Sequence, residues 1–384
     1  MLVVVRCLRG IEWICAAEVA GLGARVLSIE HRLVTCEAAP GALLGSGTAD
    51  DAFVVAGRFV GVDRRRAALS ELCRQVRMMD LAGAEAAAGR LRTIEADAGF
   101  EVVASFLGRR NYNRFEIEAA VGEELLRLTG RRLETRGDWA GEGPALSWRV
   151  HLFDGGGFLG LRLSGAPLHR RPYRLRSQPG ALHPPLAYAA AMLGGPDAGD
   201  VVVDPFCGVG TMLIEAASRQ PEARLIGVDA EPAAIRAALA NAARAGVAGA
   251  GGRERRARPR PGWMVGDAGR LALRAGAADV VLTNPPWSRR VGLAGTLAHG
   301  VEPFWAEAAR VAGAAGRVAV VLEGLEGQAG PVRAAGLEPV LLQRAAVSGA
   351  WTSLGLLAAA GRAGAELDRL GALGLTPPPE AAAR

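Results

Sequence analysis

The chain has 384 residues, half of them hydrophobic, enough for two or three domains with buried cores and too apolar for a disordered or fibrous protein. Its formal net charge of +6 leans toward a polyanionic partner. All 45 basic residues are arginine, which excludes chemistry that needs a lysine, such as a P-loop or a Schiff base.

MLVVVRC at the start reads as a strand, with an apolar run that stops at Arg6 and is too short for a signal-peptide core. GIEWICAAEVAGLG reads as a helix closed by glycine, and ARVLSIEHRLVTCEA as a hairpin-like strand pair. The pattern repeats loosely: EVVASFLGRR is a strand, NRFEIEAAVGEELLRLTG an amphipathic helix ended by Gly130, and LSWRVHLFDGGGFLGLRLSG two strands around a Gly-rich turn. This order suits small sheets with helices on one face over the first 165 residues. Residues 166–180 break the periodicity with Pro167, Pro172 and Pro179, and carry Arg170, Arg171, Arg174 and Arg176 without an acid. They are expected to form a basic linker.

From residue 181 the rhythm becomes β–α alternation. Strands are expected at 200–204, 223–229, 263–267 and 278–284, then RVAVVLE, with helices between them. Right-handed crossovers would build a parallel doubly wound sheet, closed by an antiparallel pair from PVLLQRAAVSGAWTSLGLLAAA. TPPPEAAAR is expected to fray as part of a tail over 361–384. Cys7, Cys15, Cys36, Cys73 and Cys207 form no CxxC pair, which suits a reducing cytoplasm. The five histidines are scattered, so no metal is expected, and no segment reads as a membrane span.

Chemistry concentrates at strand ends in the second half. DPFCGVGT (204–211) follows a strand and opens a helix, and Gly208 and Gly210 allow a tight turn and close ligand approach. Asp229 ends the next strand, where an acid can take both hydroxyls of a ribose. Asp267 and Ala268 end the third, suited to an adenine edge, and Asn284 ends the fourth. Open α/β sheets bind ligands along this carboxyl edge.

DPFCGVGT, GVDA, GDA and NPPW, in that order, resemble the S-adenosylmethionine-dependent methyltransferase fold, in the branch that methylates exocyclic amines. The resemblance assigns the cofactor to Asp204, Pro205, Phe206, Cys207, Gly208, Gly210, Thr211, Asp229, Ala230, Asp267, Ala268 and Asn284. Catalysis would fall to Asn284, Pro285, Pro286 and Trp287. The Asn284 side-chain oxygen and the Pro285 carbonyl would each accept one N–H of the amine, Pro286 would keep the corner rigid, and Trp287 would offer a stacking face. Cys207 reads as a small packing residue rather than a nucleophile.

SFLGRRNYNRFEIEAAVGEEL (105–125) resembles a THUMP domain, and LHRRPYRLRSQPGALHPPLAYAAAML (168–193) the linker of the THUMP-containing RNA guanine-N2 methyltransferases. That resemblance covers residues 1–360. It implies a ferredoxin-like N-terminal subdomain (1–60), a THUMP-like RNA-binding domain (61–165), the basic linker and a Rossmann-like methyltransferase domain (181–360). The implied activity is methylation of a guanosine N2 amine in tRNA or 23S ribosomal RNA. RNA contacts are expected from Arg109, Arg110, Tyr112 and Arg114 and from the four linker arginines, through phosphates and stacking. The basic stretch 251–262 is a further loop of undecided role. NPPW alone leaves adenine-N6 and protein-glutamine methylation open, and a non-catalytic RNA-binding protein of the same fold is the reading from another class.

Overall fold

The computed structural model describes every residue except 135–145, 179, 248–261, 287–294, 348, 380 and 382–384. Its contacts divide the chain into two compact units, residues 1–6 with 19–168 and residues 7–18 with 169–384.

The first half runs β1 (Leu2–Cys7), α1 (Glu12–Gly21), β2 (Arg25–Glu30), β3 (Leu33–Glu37), β4 (Ala49–Val62), α2 (Ala68–Val76), α3 (Leu81–Gly89), β5 (Phe100–Phe106), α4 (Arg114–Thr129), β6 (Leu146–Phe153) and β7 (Gly155–Arg162). Its seven strands form one sheet in the order β2-β3-β1-β4-β7-β6-β5, with β5 and β6 parallel. This corrects the expectation of several small sheets. The 14-residue β4 passes through the boundary expected at residue 60 and pairs with β7 from Phe53 to Val62, so the strands on both sides of that boundary share one hydrogen-bonded ladder. β6 shows the period of two expected of a strand: Trp148, Val150 and Leu152 are buried apolar groups, and Ser147, Arg149 and His151 occupy the opposite face. α4 begins in a capping box between Asn113 and Glu116 and ends at Gly130 in the left-handed conformation, as the sequence predicts.

The second half runs α5 (Pro184–Gly194), β8 (Val201–Asp204), α6 (Thr211–Arg219), β9 (Arg224–Asp229), α7 (Pro232–Arg244), β10 (Gly262–Val265), β11 (Val280–Thr283), α8 (Glu302–Ala312), β12 (Arg317–Leu322), α9 (Ala329–Ala334), β13 (Leu337–Val347), β14 (Ala350–Ala359) and α10 (Ala363–Ala372). Its sheet order is β10-β9-β8-β11-β12-β14-β13, parallel through β12 and closed by the antiparallel β14 and β13. The central strands are apolar on both faces because each face has its own core. Val202, Val280, Leu282, Ala319 and Val321 enter one cluster with α5 and α6, while Val203, Val281, Val318 and Val320 enter another with α8.

Two further boundaries differ from expectation. Residues 7–18 belong with the second unit: Ile11 and Ile14 are fully buried in the core with Leu186 and Val340, and Ala346 donates to the Arg9 carbonyl at 2.9 Å. The expected tail is partly a docked element. Residues 363–372 form α10, Leu370 and Leu375 are fully buried, and Leu342 donates to the Ala381 carbonyl at 3.0 Å. Those leucines bury apolar area that a fraying segment would leave in water.

Candidate active site at the switch point of the second sheet

β8 and β11 are neighbours in the sheet although β9 and β10 lie between them in sequence. The strand order reverses there, which opens a crevice at the carboxyl ends. A cavity of about 580 Å³ occupies that crevice. Thirteen of the residues expected at the site line it: Asp204, Pro205, Phe206, Cys207, Gly208, Thr211, Asp229, Ala230, Asp267, Ala268, Asn284, Pro285 and Pro286. Trp287 lies outside the described residues, as does nearly all of the basic 251–262 stretch.

The loop from β8 to α6 is laced to the tip of β9. Cys207 donates to the Val228 carbonyl at 2.9 Å, and Gly208 donates to Asp229 Oδ2 at 2.8 Å. The other Asp229 oxygen accepts the Glu231 N–H at 2.9 Å. Asp204 is almost wholly buried and accepts the Phe206 N–H at 3.0 Å. Burial pushes its carboxyl up to about 7, and the nearby Asp229 adds to the rise, against the hydrogen bond from Phe206. Burial also pushes the Cys207 thiol up, so it is a packed, protonated group.

Gly210 is a correction. It does not line the cavity but forms the N-cap of α6 at φ 84°, and a Cβ there would meet the Trp263 ring at 3.0 Å and the Ala238 Cβ at 3.2 Å. Its task is the left-handed turn and close packing beneath the loop. Asp267 is engaged within the protein: it accepts the Gly269 N–H and both the N–H and the hydroxyl of Thr296, at 2.8 to 2.9 Å. Burial alone would raise its carboxyl, but these bonds outweigh it and hold the pKa below the usual value. Asp267 therefore anchors the Thr296 turn on the cavity wall.

Three of the arginine and tyrosine expectations are corrected by inward-facing partners. Arg110 donates to the carbonyls of Asp63 and Phe153, at 2.9 and 2.7 Å, and to the Tyr112 hydroxyl at 2.8 Å. Tyr112 is buried and donates to the Asp63 carbonyl, so its ring is closed to a base. Phe115 is the exposed aromatic instead, with the Arg114 guanidinium 4.6 Å from its ring centre. Arg171 forks onto Glu215 at 3.0 and 3.2 Å, and Tyr173 donates to the same carboxylate at 2.6 Å. Arg109, Arg114, Arg170 and Arg176 are exposed, and Arg174 is partly buried beside Ser177.

Residues 169–178 are thus less a free linker than a strap on the second unit. The buried Asn241 of α7 clamps the Arg176 backbone through both its amide groups and also donates to the Val209 carbonyl. The strap delivers Gln178 and residues 180–182 to the cavity wall. Sequence reasoning also missed Trp351, which lines the cavity from β14 at 38% exposure. The Arg9 and Arg344 guanidiniums lie 4.6 and 4.8 Å from its ring centre. A strand pattern gives no sign that residue 9 and residue 351 meet.

Residues 171–329 match the family described as UPF0020, RMKL-like methyltransferase domain. A tRNA (guanine(6)-N2)-methyltransferase of Thermus thermophilus is 30% identical over 256 residues, 66% of this chain and 66% of that protein. The mouse U6 snRNA (guanine-N(2))-methyltransferase THUMPD2 is 28% identical over 174 residues, 45% of this chain and 30% of that protein. The chain spans less than two thirds of the length of these curated relatives. Among solved structures, TrmN from Thermus thermophilus superposes with a TM-score of 0.72 at 24% identity, covering 93% of this chain and 99% of that one. The β8–α6 glycine turn, the Asn-Pro-Pro corner and all of the cavity lining except Val347, Ala350, Trp351 and Thr352 fall within the matched stretch, and residues 171–329 are an RMKL-like methyltransferase domain of the UPF0020 family.

Proposed function

We propose that the chain methylates the exocyclic N2 amine of a guanosine in structured RNA, with tRNA as the first candidate, using S-adenosylmethionine. The observation that carries this reading is the convergence of four strand tips and the Asn-Pro-Pro corner on one cavity. The residues fit the cofactor on two counts. Thr211 lines the cavity, and its hydroxyl is buried with no hydrogen-bond partner. Each Asp229 oxygen spends one lone pair on a backbone N–H, which leaves one on each for the two hydroxyls of a ribose. The volume also falls within the roughly 300–1,000 Å³ of small-molecule sites.

The bound cofactor supplies an electrophilic methyl group. Everything else falls to the chain. The amine is a weak nucleophile because its lone pair is delocalised into the base. The Asn284 oxygen and the Pro285 carbonyl accept its two N–H groups and turn the lone pair toward the methyl. Pro285 and Pro286 restrict that corner, so the acceptors are in place before the base arrives. Trp351 stands at the cavity, with Arg9 and Arg344 against its ring, as an aromatic surface for the entering nucleotide. Relatives named for guanine-N2 methylation of tRNA and U6 snRNA support the choice of base and atom, and a ribosomal RNA large subunit relative keeps rRNA as the second substrate.

The THUMP-like front half would hold the RNA through Arg109 and Arg114, with Arg170, Arg174 and Arg176 adding phosphate contacts from the strap. No helix among the described residues is long and apolar enough to cross a membrane. Five free cysteines suit the reducing cytoplasm where RNA is processed. The test is to incubate the protein with labelled S-adenosylmethionine and separate tRNA and rRNA fractions, then digest to nucleosides. N2-methylguanosine in tRNA is expected. Label in N6-methyladenosine, or cofactor binding with no RNA labelling, would overturn the reading.

A further inference from the structure

A second cavity, of about 160 Å³, lies within the front unit on one face of its sheet. Arg149 and His151, two residues apart on β6, share that face, and their partners across the ladder are Gly160 and Phe158 of β7. Gly160 lets Phe53 pack close to β7: a Cβ there would meet the Phe53 Cβ at 3.0 Å. The lining includes three arginines, two histidines and three phenylalanines and no carboxylate.

Charges elsewhere on this face are matched. Arg162 donates to Asp51 at 2.8 Å, Ser147 donates to Glu101 at 2.7 Å, and Arg32 at the rim pairs with Asp50 at 3.4 Å. Arg149 differs. It is only 9% exposed, its Nε has no hydrogen-bond partner, and its guanidinium lies 5.4 Å from the centre of the Phe53 ring. His151 is held by Ser105, whose hydroxyl lies 2.9 Å from Nδ1, and its buried Nε2 has no partner. Burial, with Arg6 and Arg149 nearby, holds that imidazole near pKa 4. It is therefore neutral at pH 7, and with Ser105 assigned as the donor, Nε2 carries the hydrogen. Buried polar groups normally find partners, and an unpartnered guanidinium Nε in a cavity lined by bases calls for an anion.

We propose that this cavity binds a phosphomonoester carried on a nucleoside, with the phosphate at Arg149 and the nucleoside against the phenylalanines. That space is several times what a single water needs. A phosphate group fits, and the nucleoside extends past the rings toward the mouth. The source is either a free nucleotide or the phosphorylated end of an RNA strand. The proposal does not depend on the methyltransferase reading, since every residue it uses lies in the front unit.

The full chain is titrated calorimetrically with uridine 5′-monophosphate, uridine and inorganic phosphate; a uridine base avoids competition for an adenosine-shaped cleft. Saturable binding of the monophosphate is expected, with uridine weaker by roughly tenfold or more, since the charged hydrogen bonds are lost. Arg149→Met, which keeps the apolar stem, should abolish the difference between monophosphate and uridine while the cofactor still binds. Because that comparison is also made in the unaltered protein, it survives a variant that fails to fold. Competition by a 5′-phosphorylated but not a 5′-hydroxyl oligoribonucleotide would assign the site to an RNA end, and competition by neither to a free nucleotide. No saturable binding of the monophosphate, equal binding of uridine, or full binding to folded Arg149→Met overturns the proposal.

Discussion

Asp229→Ala tests the cofactor side of the site most directly, because the carboxylate has two tasks that separate in two assays. It accepts the Gly208 and Glu231 N–H groups at 2.8 and 2.9 Å, and on the proposed reading it also accepts two ribose hydroxyls. Hydrogen bonds to a charged group contribute about 1.5–3 kcal/mol each, less where water can take over. Two hydroxyl contacts at a partly exposed position give a net loss of about 3 kcal/mol in cofactor binding, or roughly 150-fold in Kd. Freeing Gly208 loosens the β8–α6 turn and should cost about 1–2 kcal/mol of stability in the absence of ligand, since solvent can reach that N–H. Asp229→Asn keeps the volume and one acceptor oxygen but cannot serve Gly208 and Glu231 together, so it should fall between wild type and alanine in affinity. Titration with S-adenosylhomocysteine reads the first effect, and urea unfolding of the unliganded protein reads the second. A folded alanine variant that binds within about threefold of wild type refutes the ribose assignment. If it is nonetheless less stable, Asp229 is a loop anchor alone.

Asn284→Ala should leave S-adenosylhomocysteine affinity unchanged and lower single-turnover methylation by about 100-fold or more, since its contacts are to the amine; wild-type turnover would end the amine-holding mechanism. The folded protein binds the Asp204 proton more tightly than an unfolded chain does, with a pKa near 7 against the ordinary 3.8. Asp204's contribution to stability is therefore greatest below about pH 4, declines as pH rises to about 7 and is flat beyond. Asp204→Asn should accordingly gain urea resistance over wild type at about pH 8, with the gain shrinking toward pH 4; a gain that does not vary with pH would contradict the buried-acid assignment. Arg109→Glu with Arg114→Glu should raise the apparent KM for RNA and flatten its salt dependence without moving Tm. Arg110→Ala should do the opposite, lowering Tm by several degrees because three carbonyl and hydroxyl partners lose their donor; equal effects from both variants would remove the distinction between the exposed and the inward arginines.

The cavity walls were legible because their rules are local. Four strands of the second sheet run into a polar residue, Asp204, Asp229, Asp267 or Asn284, with a proline or glycine within the next three residues, and the sheet order follows from β–α alternation and the handedness of crossovers. So Asp204, Asp229, Asp267 and Asn284 could be placed around one cavity before any side chain was seen, and Gly130 could be placed at the end of α4. Local rules say nothing about which way an arginine points once packing offers it a partner. Arg110 and Arg171 sit next to the exposed Arg109 and Arg170 in sequence, but the Phe153 carbonyl and the Glu215 carboxylate, 43 and 44 residues away, draw them inward. Asp267 is an anchor as well for the same reason, since Thr296 reached it from 29 residues on. The docking of residues 7–18 and of Leu375, the Arg9–Trp351 contact, and the meeting of Arg149 with Phe53 across β7 are likewise long-range. The apolar area and hydrogen bonds that select them exist only once the strands are in register, which is why the chain's pattern could foretell the strand tips but not the partners of its arginines.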